Sequence, residues 1–192
     1  MINTDARIIQ TMNKIRNTAK ALMVTQPDFA MTTFLTQAGV TRGTFYKYYD
    51  NKAHLVAEVN HAIVTDLVHY TETKFQLALV IKAISEDAAF YNAALNLNSN
   101  PSFYHILMTH IHDQMLIQTQ SLEEPIQQHV RYQWEVIHAG FWGIIGKWLQ
   151  ENMTLSQVEL LEEFSEVWRV NHGAIQQTGL SLFDFSSIDS YE

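Results

Sequence analysis

Apolar side chains recur at spacings of three and four along most of the chain, which is the period of one helix face. The first run comprises Ile8, Met12, Ile15, Ala19 and Leu22. It predicts a helix over about residues 5–24, and Asn3 or Thr4 stands where an N-cap is expected. The chain therefore opens with an amphipathic helix.

Three further helices are predicted close together after the first one. The apolar positions of the second, over about residues 29–37, are Met31, Phe34, Leu35 and Ala38. Gly39 follows where a helix commonly ends in the left-handed conformation. Thr41 is the expected cap of a third helix over about residues 41–48, and Asn51 is the expected cap of a fourth. Two short helices are thus separated by a tight turn.

The helical pattern continues through the rest of the chain. Helices are predicted over about residues 75–84, 87–97, 101–118, from 125 onward, and 156–175. No alternating strand pattern competes with them, no internal repeat stands out, and the tail from Gly179 is weakly patterned. The predicted fold class is all-α.

Composition and charge narrow the class of protein. The chain has no cysteine, which excludes a disulfide scaffold and thiolate chemistry. Its start lacks the pattern of a signal peptide, and no apolar run is long enough for a membrane span, so we expect a cytoplasmic protein with no membrane partner. Residues 1–52 carry seven basic and three acidic side chains, whereas the remainder carries five basic and 17 acidic ones. A basic module on an acidic body favours a polyanionic partner.

The second and third helices have the layout of a helix-turn-helix, in which the second of the pair lies in the DNA major groove. Phe45 and Tyr49 are four apart and are expected to face inward. The outward positions are then Thr41, Arg42, Gly43, Thr44, Tyr46, Lys47 and Tyr48. Arg42 has hydrogen-bond donors for a guanine edge. Tyr46, Tyr48 and Lys52 have donors for phosphates. Double-stranded DNA is therefore the expected partner.

The stretch 38–55, which reads AGVTRGTFYKYYDNKAHL, resembles the DNA-binding signature of the TetR/AcrR family of bacterial transcriptional regulators. The resemblance implies a DNA-binding domain of three helices over residues 1–51. It also implies a helical effector-binding and dimerisation domain over residues 52–192. By the same resemblance, Thr41, Arg42 and Thr44 contact bases and Tyr46, Tyr48 and Lys52 contact phosphates. Thr32 and Thr33 are further candidates for DNA contact.

A glycine series in the long helix that starts near residue 125 indicates close helix packing. Gly140, Gly143 and Gly146 each cost about 1 kcal/mol relative to alanine inside a helix, so they need a reason. We favour a homodimer interface, and the alternative is close packing within one subunit. The interface candidates are Gly140, Phe141, Gly143, Ile145, Trp148, Phe164 and Trp168.

The segment FWGIIGKWL, residues 141–149, is similar to a sub-branch of the family that includes regulators of dihydroxyacetone kinase operons.

Aromatic side chains and methionines in the body are candidates for an effector pocket. They are Phe75, Phe90, Phe103, Tyr104, Met108 and Trp134. Each of them fits an ordinary helical core equally well, so the pocket follows from the family resemblance alone.

Enzymatic and metal-binding classes have weaker support. His105, His110, His112 and Asp113 cluster on one predicted helix, but His110 and His112 are two apart and point in nearly opposite directions. No metal site and no cofactor are predicted. The sequence contains no nucleophile motif and no glycine-rich phosphate loop, so we expect no enzyme.

The predicted function is sequence-specific regulation of transcription. We expect a repressor that a small-molecule effector releases from a near-palindromic operator, since a two-fold dimer presents two related recognition helices. The alternative is a DNA-binding dimer whose body is controlled by a partner protein.

Overall fold

The computed structural model describes residues 2–71, 75–97, 100–171, 183–184 and 186–187. Within these ranges the chain forms nine α helices: α1 (Ile2–Thr25), α2 (Met31–Ala38), α3 (Arg42–Phe45), α4 (Lys52–Val68), α5 (Leu77–Glu86), α6 (Ala88–Asn96), α7 (Pro101–Thr119), α8 (Glu124–Gln150) and α9 (Gln157–Asn171). A single 3-10 turn, His69–Thr71, extends α4. The all-α prediction is confirmed.

The described strands are limited to two residues each. β1 (Phe75–Gln76) and β2 (Phe183–Asp184) pair in parallel, with Phe75 opposite Phe183 and Gln76 opposite Asp184. The sequence predicted neither strand, because two residues are too few to show an alternating pattern. The last predicted helix extends to about residue 175, and the part of it after Asn171 lies outside the described residues.

Local capping signals account for the ends of α2, α3 and α4. Gly39 has φ 62° and ψ 36°, and its N–H together with that of Val40 bonds back to the last turn of α2, as in a Schellman motif. The Thr41 side chain accepts the amide hydrogen of Thr44, and the Asn51 side chain accepts that of His54. These three sequence-based predictions are confirmed.

Two predicted helix ends are wrong. α1 begins at Ile2, so Asn3 and Thr4 lie within the helix instead of before it. α3 ends at Phe45, whereas the prediction extended it to about residue 48. Residues 46–48 form a turn in which Tyr48 N–H bonds to Phe45 O, three residues back. The apolar spacing of Phe45 and Tyr49 suits such a turn as well as it suits a helix.

An aromatic cluster holds α2 and α3 together. The ring of Phe34 lies 5.9 Å from that of Phe29 and 5.7 Å from that of Phe45, and Phe45 stacks on Tyr49 at 5.5 Å. All four side chains are buried. Since aromatic pairs add to the apolar burial, this cluster fixes how the two short helices are presented.

α4 links this N-terminal part to the rest of the molecule. It packs against α1 and, more extensively, along α7. Leu55, Val59 and Leu67 are on its buried face. Asn60 is also on that face and exchanges two hydrogen bonds with Asn100, the N-cap of α7, at 3.1 and 2.7 Å. A buried amide pair therefore sets the register of α4 on α7.

The body is built around α8. Phe141 of α8 packs edge-on against Phe164 of α9, with ring centres 4.9 Å apart. On another side, the Asn96 amide of α6 donates to Gly146 O at 2.8 Å.

None of the helices in the described ranges combines the length and apolar character that a bilayer crossing requires.

Candidate functional site

The turn and α3 present a small polar surface on a buried aromatic base. Phe45 and Tyr49 face inward with at most 2% of their surface exposed, as predicted. Arg42, Gly43 and Lys47 are exposed, and neither of these two cations pairs with a carboxylate of the described residues. The segment can therefore offer guanidinium and ammonium donors to an external polyanion.

The two threonines of this segment, Thr41 and Thr44, are hydrogen-bonded to each other. Thr41 Oγ1 lies 2.9 Å from Thr44 Oγ1, in addition to its bond with the Thr44 amide. One hydroxyl must donate to the other, so one O–H hydrogen of the pair is left for a further acceptor. Thr41 thus both caps α3 and fixes the orientation of Thr44, which is half-buried.

No contact within the described part of the protomer requires glycine at position 43. A Cβ built at Gly43 would meet only Thr41 Oγ1, at 3.9 Å, which is an ordinary contact. Its φ is not in the left-handed region, so the backbone does not require glycine either. The lack of a side chain here suits close approach of a flat or grooved partner.

The remaining DNA-contact candidates differ in exposure. Tyr46 is 54% exposed, whereas Tyr48 is half-buried and packs against the core. Thr32 is exposed near the start of α2, and Thr33 is half-buried. Their contacts with DNA remain predictions.

Lys52 has partners that the sequence did not indicate. Its ammonium donates to Phe29 O at 2.9 Å and to Pro27 O at 3.2 Å, and it lies 4.0 Å from the centre of the Phe29 ring. Lys52 thereby ties the start of α4 to the loop between α1 and α2. The phosphate contact remains a prediction, and any such contact would use the one N–H that is left.

Tyr49 carries a buried hydroxyl that has no hydrogen-bond partner among the described residues. Its ring lies between those of Phe45 and His54, at 5.5 and 5.7 Å. An unpaired buried hydroxyl costs stability, so the apolar ring and not the polar group explains the position.

The body contains a small apolar cavity of about 30 Å³ between α4, α5, α7 and α8. Its lining residues are Leu67, Val68, Phe75, Leu77, Val80, Leu107, Ile111, Trp134, His138, Phe141 and Trp142. It has room for one or two water molecules at most. Two of its lining residues, Leu67 and Val68, belong to α4, so the cavity touches the helix that leads to the DNA-binding part.

A wider groove of about 300 Å³ lies beside this cavity, between α7 and α8. We call it the α7–α8 groove, and its lining residues are Met108, Thr109, Ile111, His112, Trp134, Glu135 and His138. Ile111, Trp134 and His138 line both spaces. The cavity and the groove therefore share part of their lining.

Three of the six predicted effector-pocket residues line the cavity or the groove, and the other three do not. Phe75 and Trp134 line the inner cavity, and Met108 and Trp134 line the groove. Phe90 and Phe103 instead pack edge-on against each other at 5.1 Å in the core, and Tyr104 is 43% exposed. His138 and Glu135 were not among the candidates. The pattern of polar and apolar positions along α8 does not indicate that these two residues share a groove with α7.

The histidine cluster is distributed differently from a metal site. His112 lies near Glu135, with Nδ1 to Oε1 at 3.9 Å, while His105 is exposed. Among the described residues no group of three or more potential ligands could hold a metal ion.

The dimer candidates are also divided. Phe141, Ile145, Trp148 and Phe164 are buried inside the protomer, and Trp168 packs against the same core. Gly146 is buried as well, and a Cβ there would lie only 2.9 Å from Asn96 Oδ1. Gly143 is exposed, Gly140 is half-exposed, and a Cβ at either would meet nothing within 4 Å. Close packing within one subunit thus accounts for Gly146 and leaves the other two glycines on the surface.

A second connection joins α1 to the body. Lys20 of α1 pairs with Asp87, which lies between α5 and α6, and its ammonium is 5.5 Å from the Phe90 ring centre. Burial lowers the pKa of Lys20, and the charge of Asp66 on α4 acts in the opposite direction. Burial also raises the pKa of the nearby Tyr91 hydroxyl, with further contributions from Asp66 and Tyr70.

The comparison with protein families agrees with the architecture. A TetR family model, described as a transcriptional regulator C-terminal region, matches residues 72–169, just over half of the 192 residues. The chain therefore belongs to the TetR family of transcriptional regulators, whose members bind DNA and usually form dimers. No curated protein matches it significantly. The match lies in the body, whereas the helix-turn-helix resemblance lies in residues 38–55, so the two findings come from separate parts of the chain.

Proposed function

We propose that this regulator is a repressor that binds a near-palindromic operator as a homodimer and leaves it when a small molecule binds the body. The observation that carries the proposal is the course of α4. This helix begins beside the exposed residues of α3 and ends at the cavity in the body. One rigid element thus joins the two places where a regulator of this kind must act.

The DNA-binding part is proposed to comprise residues 1–51. Its net charge of +4 with Lys52 included contrasts with the acidic remainder, so it is the part that a polyanion attracts. Arg42 is proposed to read a guanine edge, and the small Gly43 beside it allows the backbone to come close to the bases. Lys47 and Tyr46 are proposed to contact the adjacent phosphates.

Residues 52–192 are proposed to form the dimerising and effector-binding part. On α8 a row of exposed and half-exposed positions contains Tyr132, Val136, Gly140 and Gly143, in which the tyrosine is 70% and the valine 59% exposed. These positions are four, four and three apart, so they share one helix face. Apolar side chains beside the half-exposed Gly140 and the exposed Gly143 would let the same face of a second copy approach closely. We therefore place the dimer axis on this face, away from the buried aromatics.

The signal is proposed to travel along α4. Leu67 and Val68 line the cavity, so a ligand that widens the cavity displaces the last turn of α4. Asn60 is held by Asn100 near the middle of the helix, which makes that pair a fixed point. Movement of the C-terminal end of α4 then tilts its N-terminal end, where Lys52 is hydrogen-bonded to the loop before α2. The ligand shifts the equilibrium only by the difference of its affinities for the two states.

Control by a partner protein is the second candidate, and the size of the inner cavity favours it. A space of about 30 Å³ does not admit a metabolite until neighbouring side chains move. A partner that binds the surface needs no such space. The two candidates share the DNA-binding part and differ in what acts on the body.

The proposal is tested by selecting duplexes from a random pool with the full-length protein and measuring the mass of the resulting complex. We expect an enriched, near-palindromic site occupied by two protomers. A pool without enrichment would contradict sequence-specific binding. An enriched site that a metabolite collection never releases, together with release by a captured protein, would favour the partner candidate.

A further inference from the structure

The α7–α8 groove has an apolar floor and a polar rim. Met108, Ile111 and Trp134 provide the apolar surface, and His112, Glu135 and His138 provide the polar groups. Trp134 and His138 stack with an angle of 17° between their planes. The groove is therefore suited to a ligand with an apolar, flat body and one polar end.

The hydrogen bonding of His138 determines which kind of polar end fits. Its Nδ1 lies 3.0 Å from Trp134 O, and a carbonyl oxygen only accepts, so Nδ1 carries the hydrogen. In the neutral imidazole the other ring nitrogen, Nε2, is then an acceptor. His138 therefore offers a lone pair to a ligand and requires a donor in return.

Glu135 strengthens the preference for a donor. Its carboxylate oxygens lie 3.7 Å from His138 Nδ1 and 3.9 Å from His112 Nδ1, and no hydrogen bond to this carboxylate is formed within the described part of the chain. Arg131, one turn earlier on α8, is directed instead toward Gln127 and Glu124. The negative charge at the rim is thus not neutralised by the neighbouring cation.

We infer that the α7–α8 groove binds an organic ammonium ion attached to an apolar group. The ammonium donates to Glu135 and to Nε2 of His138, and the apolar group lies on Ile111 and Trp134 toward the inner cavity. This names the chemical class of the effector in the proposed function, and it rests on that proposal only for its consequence on DNA.

Binding is tested without DNA on the full-length protein, by ligand-observed NMR titration. Three probes share one benzyl group and differ in their polar end: benzylammonium, benzyl alcohol and phenylacetate. We expect benzylammonium to bind about fivefold more tightly than either of the others, from its ion pair with the carboxylate of Glu135. Glu135→Gln should remove this preference. Glu123→Gln, an exposed carboxylate at the start of α8 outside the groove, should keep it.

Equal or tighter binding of benzyl alcohol or phenylacetate would overturn the inference, and so would the absence of binding by all three probes. Retention of the preference in Glu135→Gln would overturn it as well. A separate operator titration tests the regulatory proposal. If benzylammonium binds with the expected preference and operator affinity does not change, the ligand class stands and effector control fails. If phenylacetate binds and releases the operator, effector control stands and the ligand class fails.

Discussion

The buried pair Asn60 and Asn100 offers the sharpest test of how α4 is held on the body. Asn60 is fully buried and Asn100 is 6% exposed, and the two amides exchange hydrogen bonds at 3.1 and 2.7 Å. Asn60→Ala removes both bonds, so Asn100 Nδ2 loses its Asn60 acceptor while Asn100 Oδ1 keeps the Phe103 amide hydrogen. Two lost bonds and the stranded buried group amount to about 3 kcal/mol of unfolding free energy.

Asn100→Ala should cost more than Asn60→Ala. Besides the amide pair, Asn100 Oδ1 accepts the Phe103 amide hydrogen at 3.2 Å and so caps α7. Loss of an N-cap adds about 1 kcal/mol. The double variant should be less destabilised than the sum of the single variants, by about 2 kcal/mol, because both substitutions remove the same pair of bonds.

The measurement is urea unfolding of the full-length protein at several protein concentrations, which separates folding from dimer association. Asn13→Ala, an exposed asparagine of α1, is the control and should change the free energy of unfolding by less than about 0.5 kcal/mol. Equal costs for Asn60→Ala and Asn100→Ala would refute the capping argument. A cost below about 1 kcal/mol for Asn60→Ala would refute the role of the pair as a fixed point.

Other predictions concern single groups. Tyr49→Phe should raise the free energy of unfolding by about 1 kcal/mol, because it removes a buried hydroxyl without a partner; thermal unfolding checks this, and a loss of stability would reveal a partner. Gly143→Ala should stabilise the isolated protomer by about 1 kcal/mol through helix propensity. It should also weaken the dimer in sedimentation experiments, and an unchanged dimer would remove Gly143 from the interface. Gly146→Ala should gain nothing in stability, because the new Cβ displaces the Asn96 amide; a gain equal to that of Gly143→Ala would contradict the observed contact. Lys52→Met should lower the free energy of unfolding by about 1–2 kcal/mol, because Pro27 O and Phe29 O lose their hydrogen-bond donor. If the Lys52 ammonium also contacts a phosphate, the same substitution should reduce the salt slope of DNA binding by about one.

Features of the fold that depend on neighbouring residues could be predicted from the sequence. The left-handed Gly39 and the caps Thr41 and Asn51 each act within about one helical turn, so the residue types suffice to locate them. The inward positions of Phe45 and Tyr49 follow from their spacing in the same way. The end of α3 could not be predicted, because an α-helical turn and the tighter turn that follows it put these two rings on the same side.

Contacts between distant residues could not be predicted. Lys52 with Phe29, Asn60 with Asn100 and Asn96 with Gly146 are 23, 40 and 50 residues apart in sequence. A signal existed for one of them, since Asn60 stands on the apolar face of α4, where an amide needs a buried partner.

The dimer and pocket candidates show the same limit. Aromatic residues of α8 and α9 are interface candidates by sequence, yet Phe141 of α8 and Phe164 of α9 pack against each other and are buried within the protomer. Of the pocket candidates, Phe103 lies in the core and Trp134 lines both the cavity and the groove. Hydrophobic spacing identifies the inward face of a helix, but which neighbouring element covers that face depends on the tertiary fold.

The most direct test of the central claim, sequence-specific DNA binding through α3, is a fluorescence anisotropy titration of Arg42→Ala on the selected operator and on a scrambled duplex of the same length. Arg169→Ala, an exposed arginine of α9, serves as the control. If Arg42 reads a guanine, Arg42→Ala weakens operator binding by about 1–3 kcal/mol and leaves scrambled-duplex binding nearly unchanged, while the control changes neither. Equal loss on both duplexes, or no loss on the operator, would contradict the role assigned to α3.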